Sequence, residues 1–262
     1  MLGDATRVAA DVAGVDLLAW DTAFWGFGVA RVRGADGDDA RLRDIDRYCQ
    51  RQRIACLFLL ADQDDAETTR HAEEAGFHAV DVRVTLRATT ATAPFARSDT
   101  SASAIVIRPW RDADLANLRR IAGSSHQSTR FYVDRNFPRD RCRALYETWI
   151  ARSCGGEADM VLVADDGDSA VGYVTCLSPT EPGDAGQIGL LGVAAEARGS
   201  GVGSRLVAAA LDWLARARVE DVTVVTQERN VAALRLYERC GFVSDRRQVW
   251  YHKWYRSALS EP

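Results

Sequence analysis

Residues 187–214 read QIGLLGVAAEARGSGVGSRLVAAALDWL. The run 187–193 has the length and apolar character of a buried strand. A short turn follows, and Arg198-Gly199-Ser200-Gly201-Val202-Gly203 then opens a helix expected over 204–218. Leu206, Val207, Ala210, Leu211 and Leu214 recur at helical spacing and mark its apolar face. Glycines at a helix start let a ligand approach the backbone closely, and the freed N–H groups and helix dipole favour a phosphate or pyrophosphate. Arg198 adds a cation at the rim. The glycines at 199, 201 and 203 fit neither G-x-x-x-x-G-K-[ST] nor G-x-G-x-x-G, so neither a P-loop nor a dinucleotide fingerprint is present. Taken alone, such a turn also admits a purely structural reading, a glycine turn for tight packing.

Downstream lie a strand at 222–226 and the segment NVAALRLYERCGF at 230–242. Asn230 opens a helix, where its side chain can cap the backbone or bond a ligand. Tyr237 follows seven residues later on the same helical face. Gly241 can end the helix, and Phe242 can fold back into the core.

R-x-x-G-x-G, helix, strand, then N-x-x-A-x-x-x-Y-x-x-x-G-F resembles the GNAT superfamily of acyl-CoA-dependent N-acetyltransferases, over about residues 105–255. The resemblance implies that Arg198, Gly199, Ser200, Gly201, Val202, Gly203 and Ser204 hold the pyrophosphate of acetyl-CoA, with Asn230 among the cofactor contacts. It also implies a bulged strand, for which Gly189 and Gly192 are suited, with Leu191, Gly192 and Val193 facing the pantetheine and the thioester. Tyr237 then protonates the departing thiolate after direct attack by an amine. No general base is legible: His126, Asp134 and Glu228 are candidates without distinction, and Cys240 reads as packing.

Around this centre the chain alternates strands and helices, which gives an α/β class with a mixed α+β sheet. A strand is expected at 105–108, and a helix from a cap at Asp112 to about Ala122. An irregular segment follows at 124–138, a helix near 139–152, and strands at 160–164 and 170–177 about the turn Asp165-Asp166-Gly167-Asp168-Ser169. The chain closes with a strand near 246–255. Residues 89–104, TTATAPFARSDTSASA, read as a linker between an N-terminal domain at 1–88 and a catalytic GNAT domain at 105–262.

The N-terminal part shows a strand at 54–60, a helix near 64–75, Gly76-Phe77 and a strand at 79–87, the same order as at the end of the chain. This reads as an internal duplication. Ala72 stands where Tyr237 would, and no R-x-x-G-x-G precedes it, so this half is a truncated, degenerate GNAT-like domain. With LAWDTAFWGFGVARV at 18–32 and Ser128-Thr129-Arg130-Phe131, the whole resembles bacterial dTDP-4-amino-sugar N-acetyltransferases. That implies an acceptor contacted by Trp25, Arg130 and Phe131; a core role for Trp20, Phe24 and Trp25 in an N-terminal strand is the competing reading. Other amine acceptors and a non-catalytic acyl-CoA-binding module remain as alternatives.

Composition excludes several classes. With 262 residues, 47% hydrophobic and 27% charged, the chain is long enough for more than one core. A net charge of −4 gives no reason to expect a nucleic-acid partner. The absence of a long apolar run argues against a membrane span, and Asp4 and Asp11 argue against a secretory leader, so a cytoplasmic location is expected. The six cysteines and four histidines show no zinc spacing, so no metal is expected and the thiols are read as reduced. Edge strands in such sheets allow a homodimer.

Overall fold

The computed structural model describes residues 14–34, 39–91, 105–181 and 183–255. It begins with β1 (Val15–Leu17), α1 (Ala19–Trp25), β2 (Gly28–Val32), α2 (Asp39–Arg51), β3 (Ile54–Asp62), α3 (Ala66–Glu74) and β4 (His78–Thr89). There follow β5 (Val106–Pro109), α4 (Leu115–Ser125), α5 (Arg130–Val133), α6 (Arg139–Arg152), β6 (Met160–Asp165), β7 (Ala170–Leu177) and β8 (Gly186–Val193). The last elements are α7 (Val202–Arg216), β9 (Asp221–Gln227), α8 (Val231–Arg239) and β10 (Val243–Trp254). The class is mixed α/β, as the sequence leads one to expect. The described residues from Val84 to Asp245 form one compact unit, and the described residues up to Arg83 with those from Arg246 onward form another. The end of β10 therefore groups with the N-terminal part, because its ladder partner from Gln248 to Trp254 is β3. Of the expected linker, 92–104 lie outside the described residues. Thr90 is anchored, its N–H donating to Glu220 O and its hydroxyl to Val219 O, both at 2.8 Å.

In the N-terminal unit the strand order is β1-β2-β3-β10-β4. β2 and β3 run parallel, and β1/β2 and β3/β10 antiparallel. Leu42, Ile45 and Cys49 of α2 and Ala72 of α3 pack with Leu57, Leu59 and Tyr251 in one apolar core. The successive units β2-α2-β3-α3-β4 and β8-α7-β9-α8-β10 share their order, and each contains one parallel pair joined through a helix. Their helix ends match in detail. Phe77 N–H donates to Ala72 O at 2.9 Å beside Gly76 at φ +83°; Phe242 N–H donates to Tyr237 O at 3.0 Å beside Gly241 at φ +90°. The strand expected around Trp20–Trp25 is instead the helix α1. Trp20 and Phe24, four residues apart, stack with ring centres 5.2 Å apart, and Gly26 at φ +81° closes the helix by donating to Thr22 O.

In the second unit the order is β4-β9-β8-β7-β6-β5, with β5 to β8 an antiparallel meander and β8/β9 parallel. The apolar face expected on α7 is buried: Leu206, Val207, Ala210, Leu211 and Leu214 are each at most 3% exposed. Burial of a residue of this kind contributes about 1.5–3 kcal/mol, so this stripe fixes the helix on the sheet. Gly172 admits Leu206 and Val202, since a Cβ there would lie 3.1 Å from Leu206 Cδ1. α4 packs on α6 and on β7 and β8. α7 begins at Val202 rather than 204, because Gly201 takes the left-handed conformation at the N-cap. Within the expected irregular segment, Arg130–Val133 form a helical turn.

Asp112 is not the cap of α4. Asp112–Asp114 form a 3-10 turn, and it is Asp114 that accepts the Arg111 N–H at 2.7 Å. Asp114 also receives Arg108 through both terminal nitrogens at 2.7 and 2.9 Å, while Arg108 Nε donates to Asp165 at 2.7 Å. Arg108 holds the Asp114 carboxyl below the usual range; the Gly167 N–H, then Arg108, does the same for Asp165. Both groups are depressed in the folded state, so their contribution is complete above the unfolded value near 4 and is lost as pH falls through the folded values. Arg108→Met is expected to cost about 3–5 kcal/mol at neutral pH, and to flatten the acid limb of stability, measured by urea unfolding at steps from pH 7 down to about pH 2, since the limb lies below the unfolded value near 4.

Candidate active site

β8 and β9 pair only from Gly186↔Val222 to Ile188↔Val224, yet β8 runs on to Val193 and β9 to Gln227. A gap therefore opens between their C-terminal halves, the place where open α/β sheets take ligands. Its origin is a bulge in β8. Val174 pairs with Leu191 and Cys176 with Ile188, so the single residue Thr175 faces both Gly189 and Leu190. Gly189 and Gly192 are dictated by close packing, since a Cβ would lie 2.6 Å from Thr175 Oγ1 and 2.7 Å from the Tyr173 ring respectively. Leu191 and Val193 are half-buried on this strand and Gly192 is buried.

β8 leads into the loop of Arg198–Ser204. Gly199 and Gly201 hold φ of +81° and +83°, and nothing within 4 Å would meet a Cβ at either, so glycine is needed there for conformation rather than for space. No side chain caps the start of α7. Its first N–H groups are thus offered to an anion. The exposed Arg198 donates through Nε to Val193 O at 3.0 Å, and the Ser200 hydroxyl closes the turn on Ala197 O at 2.7 Å. The remaining members are more structural: Val202 is buried, Gly203 lies against Leu236 of α8, and Ser204 is half-buried in the first turn of α7.

Asn230 caps α8, its side chain accepting the Ala233 N–H at 3.3 Å. Two turns on, Tyr237 is 5% exposed with its ring edge-on to Phe242, the centres 5.7 Å apart. Burial pushes its phenol above the ordinary 10.0, so it stays protonated at neutral pH. Among the described residues none hydrogen-bonds its hydroxyl.

The other candidates divide. His126 stacks on Tyr146 with ring centres 4.5 Å apart and bonds the buried Tyr173 hydroxyl through Nε2 at 3.0 Å. Burial, then the Arg198 charge, pushes its imidazole down to about 4, leaving it neutral. This His126–Tyr173 pair was not legible in the sequence. Asp134 shapes a turn by accepting from Asn136. Phe131 is buried against Phe137 and Trp149, and the Arg130 guanidinium lies 4.5 Å over its ring. Trp25 is buried between Phe24 and Phe27 in the other unit. All six cysteines are free thiols, no group of three or more metal-ligating side chains gathers among the described residues, and no helix among them is long and apolar enough to cross a membrane.

The second unit thus carries a gapped parallel pair, a glycine loop at a helix start and a buried tyrosine on the next helix. Residues 123–242 match the model of the Acetyltransferase (GNAT) family; this stretch of the chain is a GNAT acetyltransferase domain. The chain is 27% identical to the dTDP-fucosamine acetyltransferase of Escherichia coli, over 92% of this chain and 98% of that protein. It is also 27% identical to the spore coat polysaccharide biosynthesis protein SpsD of Bacillus subtilis, over 56% of this chain, and spans half the length of that relative. Among solved structures, a GCN5-related N-acetyltransferase from Sphaerobacter thermophilus superposes with a TM-score of 0.65 at 16% identity, covering 92% of this chain and 76% of that one.

Proposed function

We propose that the protein transfers the acetyl group of acetyl-CoA to the amine of a dTDP-linked 4-amino-4,6-dideoxyhexose. The observation that carries the acceptor is the likeness to a dTDP-fucosamine acetyltransferase along nearly the full chain, including the N-terminal unit, and not over the GNAT domain alone. The repeated strand–helix order and matched helix ends support the reading of residues 1–88 as a truncated, degenerate copy of the catalytic domain at 105–262. In that copy Ala72 is fully buried and has no hydroxyl, so the copy's role is scaffolding.

The chain's own groups suit direct transfer. The N-terminus of α7, with Gly199, Ser200 and Gly201, takes the pyrophosphate, and Arg198 supplies a neighbouring cation. A β8 N–H at Leu191 or Val193 faces the thioester carbonyl and steadies the oxyanion as the amine attacks. Tyr237 gives its proton to the sulfur as the C–S bond breaks, a step that requires the phenol neutral, as burial keeps it; the attacking nitrogen sheds its extra proton to solvent, and solvent returns one to the phenolate before the next turnover. Positioning supplies much of the rate, so no acyl-enzyme is needed. Cytoplasmic location and a homodimer belong to the same reading.

Incubation with acetyl-CoA and dTDP-4-amino-4,6-dideoxyhexoses of both C4 configurations is expected to add about 42 Da to one sugar nucleotide, followed by mass spectrometry. No gain on either sugar, with acetylation of another amine in a panel, would move the acceptor and leave the acetyltransferase reading standing.

A further inference from the structure

The bulge in β8 is held by a side chain that the reading above does not use. Thr175 is fully buried, and its hydroxyl oxygen accepts the Leu190 N–H at 2.7 Å. A bulge ordinarily interrupts the ladder and leaves a backbone group in need of a partner; Thr175 supplies that partner from the facing strand. The two sides are matched, because a Cβ on Gly189 would lie 2.6 Å from the same hydroxyl oxygen. The hydrogen bond also sets the phase of the strand. Leu190 donates toward β7, and so does Ala194, whose N–H reaches Val171 O at 2.8 Å. N–H groups alternate sides along a strand. Those of Leu191 and Val193 are therefore directed to the opposite edge, where the β9 ladder has ended at Ile188↔Val224.

We propose that Thr175 is a positioning residue for acyl transfer: by accepting the Leu190 N–H it holds the bulge and aims the Leu191 N–H into the gap between β8 and β9. This rests on the acetyl-transfer reading above. Thr175 touches neither substrate; it acts through the backbone of β8.

The test compares Thr175→Val, which keeps the shape and removes the acceptor, with Thr175→Ser, which keeps the acceptor. With acetyl-CoA and the dTDP-4-amino sugar, Thr175→Val is expected to lose about 10²-fold in kcat, the scale of a reacting group misplaced by about 1 Å. Its affinity for free coenzyme A, which has no acyl carbonyl, stays within threefold by calorimetry, and Thr175→Ser recovers kcat to within threefold of the parent. In hydrogen exchange the Leu190 amide loses protection in the valine variant and regains it in the serine variant. Should the valine variant fail to fold, Gly189→Ala disrupts the same bond from the other strand and is expected to show the same split between kcat and coenzyme A affinity. A Thr175→Val or Gly189→Ala enzyme with the parent's kcat overturns the proposal, as does a serine variant as slow as the valine one. A parent protein that binds acetyl-CoA and acetylates no amine overturns the acetyl-transfer reading itself, an outcome seen before any variant is made.

Discussion

Tyr237→Phe is expected to lose about 10²–10⁴-fold in kcat, the usual worth of a positioned general acid, with its Kd for acetyl-CoA unchanged within twofold. The ring is 5% exposed and edge-on to Phe242, so phenylalanine refills the same space and the packing at the end of α8 is retained. What disappears is one hydroxyl that no described residue holds in a structural hydrogen bond. A tyrosine kept only for packing would show the opposite result, a small change in melting temperature and none in kcat. The experiment is steady-state release of coenzyme A from acetyl-CoA and the dTDP-amino sugar, with calorimetry for binding. Because burial raises the phenol above its ordinary 10.0, the parent enzyme's activity should show no alkaline loss from this group below pH 10. An alkaline limb centred well below that would assign the proton to another residue.

Gly201→Val is expected to weaken acetyl-CoA binding at least tenfold while leaving the fold intact. Gly201 caps α7 at φ +83°, a region that a β-branched residue enters at a cost of about 1–3 kcal/mol. Nothing lies within 4 Å of a Cβ there, so the loop relaxes by turning away from the conformation that presents the α7 N–H groups, without a clash in the core. Titration calorimetry with acetyl-CoA and a thermal melt separate the two effects; a Kd within twofold of the parent would sink the pyrophosphate assignment. The same substitution at Gly203 acts differently, since its Cβ would press on Leu236 at 3.1 Å and its effect would appear in stability.

Much of this site is legible along the chain because its signals are local. The period of Leu206, Val207, Ala210, Leu211 and Leu214 marks the buried face of α7, and Asn230, Tyr237, Gly241 and Phe242 mark the start, face and end of α8. The helix around Trp20–Trp25 is harder to read, since aromatic residues suit strand and helix alike and the closing turn at Gly26 decides between them. α2 escapes notice because Leu42, Ile45 and Cys49 are set among charged residues. Asp112 carries the capping residue type, but the partner that matters is Arg108 on a neighbouring strand, and Arg108 engages Asp114.

Local periodicity and glycine placement thus determined, from the sequence alone, the mixed α/β class, the glycine turn that opens α7 and the tyrosine on the following helix. The tertiary structure decided what depends on how strands pair. Thr175 gains its meaning from a one-residue slip between β7 and β8, and His126 from the Tyr173 hydroxyl opposite it. The end of β10 joins the N-terminal unit because β3 offers it a ladder. Register and cross-strand partners arise from contacts between residues far apart in the chain. No window of sequence contains both sides of such a contact, whereas a helix face is written within a few turns.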